Sequence, residues 1–496
     1  MTSRHPTRLP GLLLLAALTS GCSAATTAPA PPATLAARID ALLDTPPLHR
    51  TSWGVVVRDQ ATGQMLYARN PERHFIPASN TKLVVTTVAM GLLGPDWRYQ
   101  TRLLARTLAD GTTGELRIVG SGDPTASTAP PFWSGGQTPV QAVAEAVASY
   151  GTRHIRLLTI DASRFSDSPI NGSWEVGDLP ASYAPPTAAF AIDEGTFLLE
   201  LRGGASAGEP GTATVLLAPA VPGLPEPQPL RAVVTTDTVG APRRSTIDFM
   251  ARRDTVVLAA SVAAGKADTL RLAVTDPAAY AGRALRHALA ARGVQVDSLR
   301  VLRAGEAADT AGLALLGTLQ SPPLSQVVAR ILQPSQNWVA EQLLKTLGAE
   351  QGTAGSWSGG LAVERRYLVE RAGLDSLSFS LRDASGLSAQ NLLTPAATVQ
   401  LLEHARTAPW GALYRDALPT PGQAGGTLAN RLPALAGRLR AKTGTIANVN
   451  SLAGYLTTDG GRELTFSILS NGSGLPSATI RAAIDSTVTL ISREVR

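Results

Sequence analysis

Ser79 and Lys82, in the stretch PASNTKLVV, have the residue types and the spacing of a nucleophile and its base. Residues three apart on a helix share one face, so the two side chains would meet one turn apart. A serine hydroxyl attacks well only when a neighbour removes its proton. Lysine can accept that proton once burial and a second nearby cation, for which Lys442 is a candidate, lower its pKa. The pair therefore predicts nucleophilic catalysis by a serine.

The lysines are informative because the chain has only four of them among 44 basic residues. Arginine is not deprotonated in proteins, so it cannot replace lysine as a base. Ser-x-x-Lys alone is a weak signal, because a pair on a helix surface would show it too. The stretch KTGT at 442–445, on a predicted strand, is more specific, and SQN at 335–337 lies on a predicted turn between helices.

These three motifs, in this order, are those of the serine penicillin-recognising enzymes. Over most of its length the chain resembles one family of them, the D-alanyl-D-alanine carboxypeptidases and endopeptidases among the low-molecular-mass penicillin-binding proteins with a large insertion. The matching stretches include VGSGDPT (119–125), DLPASYAPP (178–186), RDASGLSAQNLLTP (382–395) and AKTGTIANVNSLAGY (441–455). The resemblance implies a serine-type D-Ala-D-Ala carboxypeptidase, with endopeptidase activity as a second expectation.

The resemblance also implies a role for each motif residue. Ser79 would attack the carbonyl of a terminal D-Ala-D-Ala bond while Lys82 takes its proton. Ser335 would relay a proton to the leaving amine, and Asn337 would orient Lys82 or the acyl chain. The backbone N–H groups of Ser79 and Thr445 would form the oxyanion hole. The strand that would bind the substrate and its free carboxylate contains Lys442, Thr443, Gly444 and Thr445.

The partners implied by the resemblance are peptidoglycan stem peptides and β-lactam antibiotics. Asp161, in IDASRF, corresponds to an aspartate expected to meet the amine end of the diaminopimelate side chain, and a structural turn residue is the alternative reading. No cofactor or metal is expected, since the six histidines show no paired spacing. Nucleic acid is not expected either, because no basic run longer than an arginine pair accompanies the net charge of +6.

The predicted fold class is α+β, with a β-lactamase/transpeptidase-like domain and inserted β-rich domains. Two early strand-like stretches (53–59 and 65–68) and three late ones would form a five-stranded antiparallel sheet flanked by helices at 79–93 and 476–494. This domain would comprise residues 35–95 and 311–496. The segment 96–310 would hold one or two inserted β-rich domains, which also contain a helix begun by Thr138 and Pro139.

The first residues predict export. Residues 1–21 have the charged start and short apolar run of a signal peptide. Cys22, the only cysteine, lies in LTSGCSA, which resembles a bacterial lipobox, and residues 22–34 would follow as a flexible tether. Ordinary cleavage near SAA is the alternative. A periplasmic or extracytoplasmic, lipid-anchored protein is therefore expected, and Ser23 is compatible with outer-membrane sorting.

Two other functions are left open by the residues. A β-lactamase would share the acylation machinery and differ in how fast water clears the acyl group. A catalytically inactive, peptidoglycan-binding lipoprotein would fail to react with a fluorescent penicillin. The inserted segment disfavours the first alternative, and the presence of Ser79, Lys82 and Lys442 disfavours the second.

Overall fold

The computed structural model describes residues 34–108, 112–126, 138–216, 228–252, 255–306 and 309–496. The predicted signal peptide, Cys22 and all but the last residue of the predicted tether lie outside the described residues. The helices are α1 (Leu35–Leu43), α2 (Lys82–Leu92), α3 (Pro139–Ser149), α4 (Pro277–Ala290), α5 (Leu324–Leu332), α6 (Asn337–Gln351), α7 (Trp357–Glu370), α8 (Pro395–Thr407), α9 (Gly411–Ala417) and α10 (Ser477–Glu494).

The strands fall into five sheets. They are β1 (Ser52–Asp59), β2 (Met65–Arg69), β3 (Gln100–Thr107), β4 (Thr113–Val119), β5 (His154–Asp161), β6 (Thr196–Arg202), β7 (Thr212–Leu216), β8 (Leu230–Asp237), β9 (Arg244–Arg252), β10 (Thr255–Ala263), β11 (Ala267–Ala273), β12 (Gln295–Leu302), β13 (Ala314–Gln320), β14 (Phe379–Ser380), β15 (Leu392–Leu393), β16 (Leu439–Ile446), β17 (Val449–Thr457) and β18 (Glu463–Asn471).

The first sheet joins the two ends of the chain. Its order is β16-β17-β18-β1-β2, and every neighbouring pair is antiparallel. One face packs on α1 and α10 through apolar residues such as Val55, Ile468 and Ile484, and the other face packs on α8. Burial of apolar side chains on both faces explains why strands so far apart in sequence pair stably. The predicted α+β class and five-stranded antiparallel sheet are confirmed.

The inserted segment contains more helix than predicted. A five-stranded sheet of order β12-β5-β4-β3-β13 has two parallel pairs, β4 with β5 and β5 with β12. Parallel neighbours need crossover connections, and α3 and α4 lie in the connections that lead into β5 and β12. Two three-stranded sheets, β8-β10-β9 and β11-β6-β7, complete the segment. Thr138 caps α3 and Pro139 follows it, as predicted, whereas α4 was not predicted.

The strand pairing places one boundary differently from the sequence-based expectation. β13 pairs antiparallel with β3, so residues 314–320 belong to the sheet of the inserted segment. The predicted limit between residues 310 and 311 divides this sheet, because its edge strand β13 lies after that limit. The other domain limits stay predictions.

A layer of packed helices lies on the side of the first sheet that carries the motifs. α2 contacts α5, α6 and α7, and α6 lies against α7. Glycines allow that approach: a Cβ on Gly360 would lie 2.3 Å from the carbonyl oxygen of Leu344, and one on Gly348 would lie 2.4 Å from that of Ala354. Among the described residues, no helix has the length and apolar character required to cross a membrane.

Candidate active site

Ser79 lies on a short 3-10 helix, Ala78–Thr81, that leads directly into α2. Ala78 and Asn80 are buried, whereas Ser79 is partly exposed, so its hydroxyl is accessible to a substrate. The turn is held by the Thr81 hydroxyl, which donates to the carbonyl of Ala78 at 2.9 Å. The following helix is buried along almost its whole length, which gives the candidate nucleophile a rigid base.

Lys82 is completely buried, and its amine is surrounded by three oxygens. Nζ lies 2.9 Å from Ser79 Oγ, 2.6 Å from Asn337 Oδ1 and 2.6 Å from the carbonyl oxygen of Ser385. The two carbonyl-type oxygens can only accept hydrogen bonds, whereas a hydroxyl can also donate. A neutral amine has two N–H groups, which donate to the oxygens of Asn337 and Ser385. Its one lone pair then points at the hydroxyl of Ser79. This is the arrangement that a base for Ser79 requires.

The environment favours the neutral amine. Burial lowers the pKa of Lys82 to about 7, while the carboxylates of Asp383 and Glu341 oppose this effect. Burial is the largest cause of the lowered pKa of Lys82, as expected, whereas Lys442 is not among its causes. Burial also holds the pKa of Lys442 well below its usual range, and Lys82 lowers it further. Both lysines are thus buried amines that gain a proton reluctantly.

Ser335 and Lys442 form a second serine–lysine pair in the same cleft. Lys442 Nζ donates to Ser335 Oγ at 2.8 Å and to the carbonyl oxygen of Thr443 at 2.7 Å. Ser335 has a φ of 64°, in the left-handed region that costs a non-glycine residue about 1–2 kcal/mol. A strained residue that presents its hydroxyl to a buried lysine is typical of a functional site.

Asn337 is the first residue of α6 and connects Lys82 to the inserted segment. Its Nδ2 donates to the carbonyl oxygen of Tyr183 at 2.9 Å, which fixes Oδ1 toward Lys82. Tyr183 is 46% exposed, and its hydroxyl donates to Asp178 Oδ1 at 2.7 Å. Residues of the inserted segment therefore border the cleft, which the motif spacing alone did not indicate.

Strand β16 forms one wall of the cleft and is the outer strand of its sheet. The N–H of Ala441 donates away from the sheet, to the carbonyl oxygen of Pro419. Backbone groups alternate along a strand, so the N–H groups of Thr443 and Thr445 face the same free edge. The Thr443 hydroxyl donates to that of Thr427 at 2.8 Å, whereas the side chain of Thr445 is exposed.

Gly444 lets this strand approach Ser79 closely. A Cβ at position 444 would lie 2.8 Å from the carbonyl oxygen of Pro77, 3.0 Å from the backbone nitrogen of Ser79 and 2.2 Å from Ser451 Oγ. Ser451 in turn donates to the same carbonyl of Pro77 at 2.8 Å. The sheet and the nucleophile-bearing turn are therefore locked together at this glycine.

Asp161 is the one predicted site residue that is not in contact with this cluster among the described residues. It ends β5 and is 9% exposed, and its Oδ1 accepts from the hydroxyl and the N–H of Ser163 at 2.5 and 3.1 Å. These are contacts of a turn. The structure brings together Ser79, Lys82, Ser335, Asn337 and the strand 442–445, and it places Asp161 in a different sheet.

An irregular turn at residues 383–388, between α7 and α8, completes the surroundings of Lys82. The sequence analysis includes Asp383 and Ser385 only as part of the stretch RDASGLSAQNLLTP, without a role. In the structure the Ser385 carbonyl contacts Lys82, and Asp383 and Ser385 are both fully buried. The sequence signal that could have found them is the polar stretch RDASGLS, which has neither strand nor helix periodicity.

A partly exposed serine beside a buried lysine, facing a second serine–lysine pair whose lysine lies on an edge strand of an antiparallel sheet, defines the class of serine enzymes that includes penicillin-binding proteins and β-lactamases. The chain belongs to the D-Ala-D-Ala carboxypeptidase 3 (S13) family, whose sequence profile matches residues 35–492.

Individual relatives agree with this family. A D-alanyl-D-alanine carboxypeptidase from Actinomadura sp. is 34% identical over 458 residues, which cover 88% of this chain and 81% of that protein. The crystal structure of penicillin binding protein 4 from Haemophilus influenzae superposes with a TM-score of 0.77 at 22% identity, covering 91% of this chain and 97% of that one. The same protein complexed with a β-lactam gives a TM-score of 0.71 at 21% identity, with 91% and 98% coverage.

Proposed function

We propose that this protein is a serine-type D-Ala-D-Ala carboxypeptidase that acts on peptidoglycan stem peptides and is acylated by β-lactams at Ser79. The contact between the buried Lys82 amine and the Ser79 hydroxyl, 2.9 Å apart, is the observation that carries the proposal. Membership of the family and the named activity of the Actinomadura relative support it.

Acylation follows from the geometry of the cleft. Ser79 Oγ attacks the carbonyl carbon of the penultimate D-alanine, and its proton passes to the Lys82 amine. The N–H groups of Ser79 and Thr445 receive the developing oxyanion, which in other hydrolases contributes about 3–4 kcal/mol per donor. The C–N bond breaks, the proton returns through the Ser335 hydroxyl to the leaving amine, and D-alanine departs.

Binding of the substrate requires recognition of its free carboxylate. Lys442 donates to Ser335 Oγ on the wall of the cleft, and Thr445, on the same strand β16, is an exposed residue. Lys442 is buried, has no counter-ion among the described residues and has a depressed pKa, and an arriving carboxylate would raise that pKa by charge attraction. The terminal carboxylate would therefore bring a negative charge to Lys442.

Release of the acyl group regenerates Ser79. A water molecule loses a proton to Lys82 and attacks the ester carbon, and the proton then returns to Ser79 Oγ. The same two steps would cleave a peptide cross-link if the leaving amine belonged to another stem peptide instead of to D-alanine. Endopeptidase activity is therefore proposed as a second reaction of the same site.

Recognition of the amine end of the stem-peptide side chain has two candidate acids. Asp161 is the residue that the family resemblance suggests. Asp178 is the second, since Tyr183 links it to Asn337 beside Lys82. Asp161→Asn and Asp178→Asn should be compared on a stem peptide with a free side-chain amine and on its acetylated form. The residue that binds the amine is the one whose loss removes the preference between them.

The proposal is tested by intact-mass measurement after incubation with benzylpenicillin, together with the release of D-alanine from a pentapeptide. A single stable adduct at Ser79 and release of D-alanine are expected. Rapid nitrocefin turnover without a lasting adduct would instead indicate a β-lactamase. Absence of both reactions would indicate a non-catalytic peptidoglycan-binding protein.

Export and anchoring are part of the proposal. Residues 1–21 would direct export, and Cys22 would carry the lipid that anchors the protein on the outer side of the cytoplasmic membrane or on the outer membrane. Membrane fractionation of the full chain and of Cys22→Ala tests this. The variant should move to the soluble fraction, and equal distribution of both forms would contradict lipidation.

A further inference from the structure

Two buried carboxyl groups lie behind Lys82 and do not face the cleft. Glu341, on α6, and Asp383, in the turn at 383–388, are both 0% exposed. Burying a carboxylate is costly unless hydrogen bonds compensate for lost water. The protein keeps two such groups beside its candidate base, so their contacts should explain what they do.

Glu341 receives hydrogen bonds from the backbone next to Lys82. Its Oε1 accepts the N–H of Ser385 at 2.8 Å, and both oxygens lie 3.2 Å from the N–H of Ala384. Oε2 also accepts from Trp357 Nε1 at 2.8 Å. Ser385 therefore connects two titratable side chains: its N–H donates to Glu341, and its carbonyl oxygen accepts from Lys82.

The same turn is fixed from its other side. Asp383 accepts the N–H groups of Gly386 and Ser388 at 2.9 and 2.7 Å. Gly386 has a φ of +79°, and a Cβ there would lie 1.9 Å from the carbonyl oxygen of Ala78. The turn thus packs directly on the element that carries Ser79, so any tilt of the Ser385 carbonyl would also disturb the nucleophile.

We propose that Glu341 is a positioning residue for the serine–lysine pair: it fixes the direction of the Ser385 carbonyl and supplies a buried negative charge, and so sets the orientation and the basicity of the Lys82 amine. This inference rests on the proposed function, because orientation of Lys82 matters only if Lys82 is the base for Ser79. Glu341 itself touches neither substrate nor reacting atoms.

The charge balance around this pair involves several elements. The titratable groups that face Lys82 or Glu341 are Asp383, Lys442, Lys345 and Glu364. Burial and the nearby Asp383 raise the pKa of Glu341 to about 7, while its hydrogen bonds from Trp357 and Ser385 favour the carboxylate. Loss of the negative charge of Glu341 would remove one of the two attractions that oppose the low pKa of Lys82.

Glu364, on α7, offers a matched control. It is 1% exposed, and neither of its carboxyl oxygens has a hydrogen-bond partner among the described residues. Burial raises its pKa well above the usual range, with Glu341 and Asp383 adding to the effect, so it is held as the neutral acid. Glu364→Gln therefore changes a neighbouring buried carboxyl group without removing charge or a contact with the turn.

The experiment follows the titration of Lys82 by NMR of protein labelled at the lysine ε-carbon. Four lysines give four signals, and Lys82→Arg assigns the one of interest. In Glu341→Gln the Lys82 titration should move down by about 1 pH unit, as expected for removal of a nearby opposite charge. In Glu364→Gln it should not move. An unmoved Lys82 signal in Glu341→Gln overturns the inference.

Acylation by a fluorescent penicillin is measured in parallel as a function of pH. Glu341→Gln should react at least about tenfold more slowly near neutral pH, because its Lys82 amine is less well oriented and a weaker base. The acidic limb of its pH profile should move to lower pH, because the pKa of Lys82 is lower. A merely structural loss would lower the rate equally at every pH and leave the limb in place, which contradicts the inference. If wild type fails to react while its Lys82 still responds to Glu341, the proposed function fails and the inference on Lys82 stands.

A second variant covers the case in which Glu341→Gln does not fold. Trp357→Phe removes one donor to Glu341 Oε2 and keeps the contacts of Ala384 and Ser385. With one donor fewer, the carboxyl group is more easily protonated, so the Lys82 titration should shift in the same direction by a smaller amount. No shift in folded Trp357→Phe and none in Glu341→Gln would together reject the role of Glu341.

Discussion

The carbonyl oxygen of Ser385 lies 2.6 Å from Nζ of Lys82, although 303 residues separate the two in the chain. With the amide oxygen of Asn337, this carbonyl occupies both N–H groups of a neutral amine. The remaining lone pair is directed at Ser79 Oγ. The base is therefore oriented by two acceptors that do not take part in bond making, and its protonation state decides whether the serine can react.

Acylation should depend on the neutral form of Lys82. Because burial lowers the pKa of Lys82 to about 7, the rate of reaction with penicillin should rise through neutral pH and fall as the amine is protonated below it. Stopped-flow or gel-based labelling between mildly acidic and mildly alkaline pH measures this limb. A rate that stays constant across the neutral range would contradict a titrating lysine base.

Lys82→Arg should keep the positive charge and lose acylation. Arginine does not give up its proton, so the variant lacks a base and should react about 100- to 10,000-fold more slowly. Lys266→Arg, at an exposed turn, is the matched control and should label like wild type. Labelling of Lys82→Arg at the normal rate would disprove the assignment of the base.

Ser335→Gly and Ser335→Ala separate the hydroxyl from the backbone strain. Both remove the partner of Lys442, so both should slow acylation. Since φ at this position is 64°, the glycine variant should be more stable than the alanine variant by about 1 kcal/mol. Thermal denaturation and labelling rates test the two effects separately, and wild-type labelling of Ser335→Gly would exclude a catalytic hydroxyl.

Gly444→Ala should push β16 away from the nucleophile. The added methyl group would meet the backbone nitrogen of Ser79 and the carbonyl of Pro77. A displacement near 1 Å in a catalytic arrangement costs about 100-fold in rate, which is the expected loss of acylation. Gly172→Ala, at an exposed glycine with open space around it, should have no effect.

Glu364→Gln should change stability in a pH-dependent way. The folded-state pKa of Glu364 is raised, so its contribution is favourable below the unfolded pKa and is lost as pH rises through the folded pKa. The glutamine variant cannot ionise, so it should melt at a higher temperature than wild type at alkaline pH and at a similar temperature under acidic conditions. The opposite order at alkaline pH would show that the carboxylate is stabilised by its surroundings.

Much of the fold could be predicted from the sequence because it depends on local periodicity. The alternating apolar residues of the three C-terminal strands predict β16, β17 and β18 to within a few residues, and the helical spacing after Ser79 predicts α2. Helix α4 was not predicted, since its core-facing positions are largely alanine and glycine. Gly282 lies so close to β5 that a Cβ would be 2.9 Å from Ile160 Cγ1, so the packing there depends on small residues.

The contacts that set the chemistry of the site could be predicted only in part from the sequence. The family resemblance implies Asn337 as a residue that orients Lys82, but the second acceptor, the carbonyl of Ser385, reaches Lys82 through tertiary packing across 303 residues. Asp161 has a residue type that suits recognition of an amine, and its side chain accepts hydrogen bonds from Ser163, which is the contact of a turn residue. Residue type and order identify the chemistry, whereas the long-range packing decides which groups reach it.

The contact between Tyr183 and Asn337 bears on attempts to shorten this protein. The two halves that build the first sheet look sufficient for a minimal enzyme, and the segment between them looks dispensable. Removing that segment would remove two hydrogen-bond acceptors. The Asn337 amide would lose the carbonyl of Tyr183, and the indole of Trp338 would lose the carbonyl of Pro186. The inserted segment orients the amine of Lys82 indirectly, through Asn337. A shortened protein would therefore keep Ser79 and Lys82 and lose the contacts that orient them.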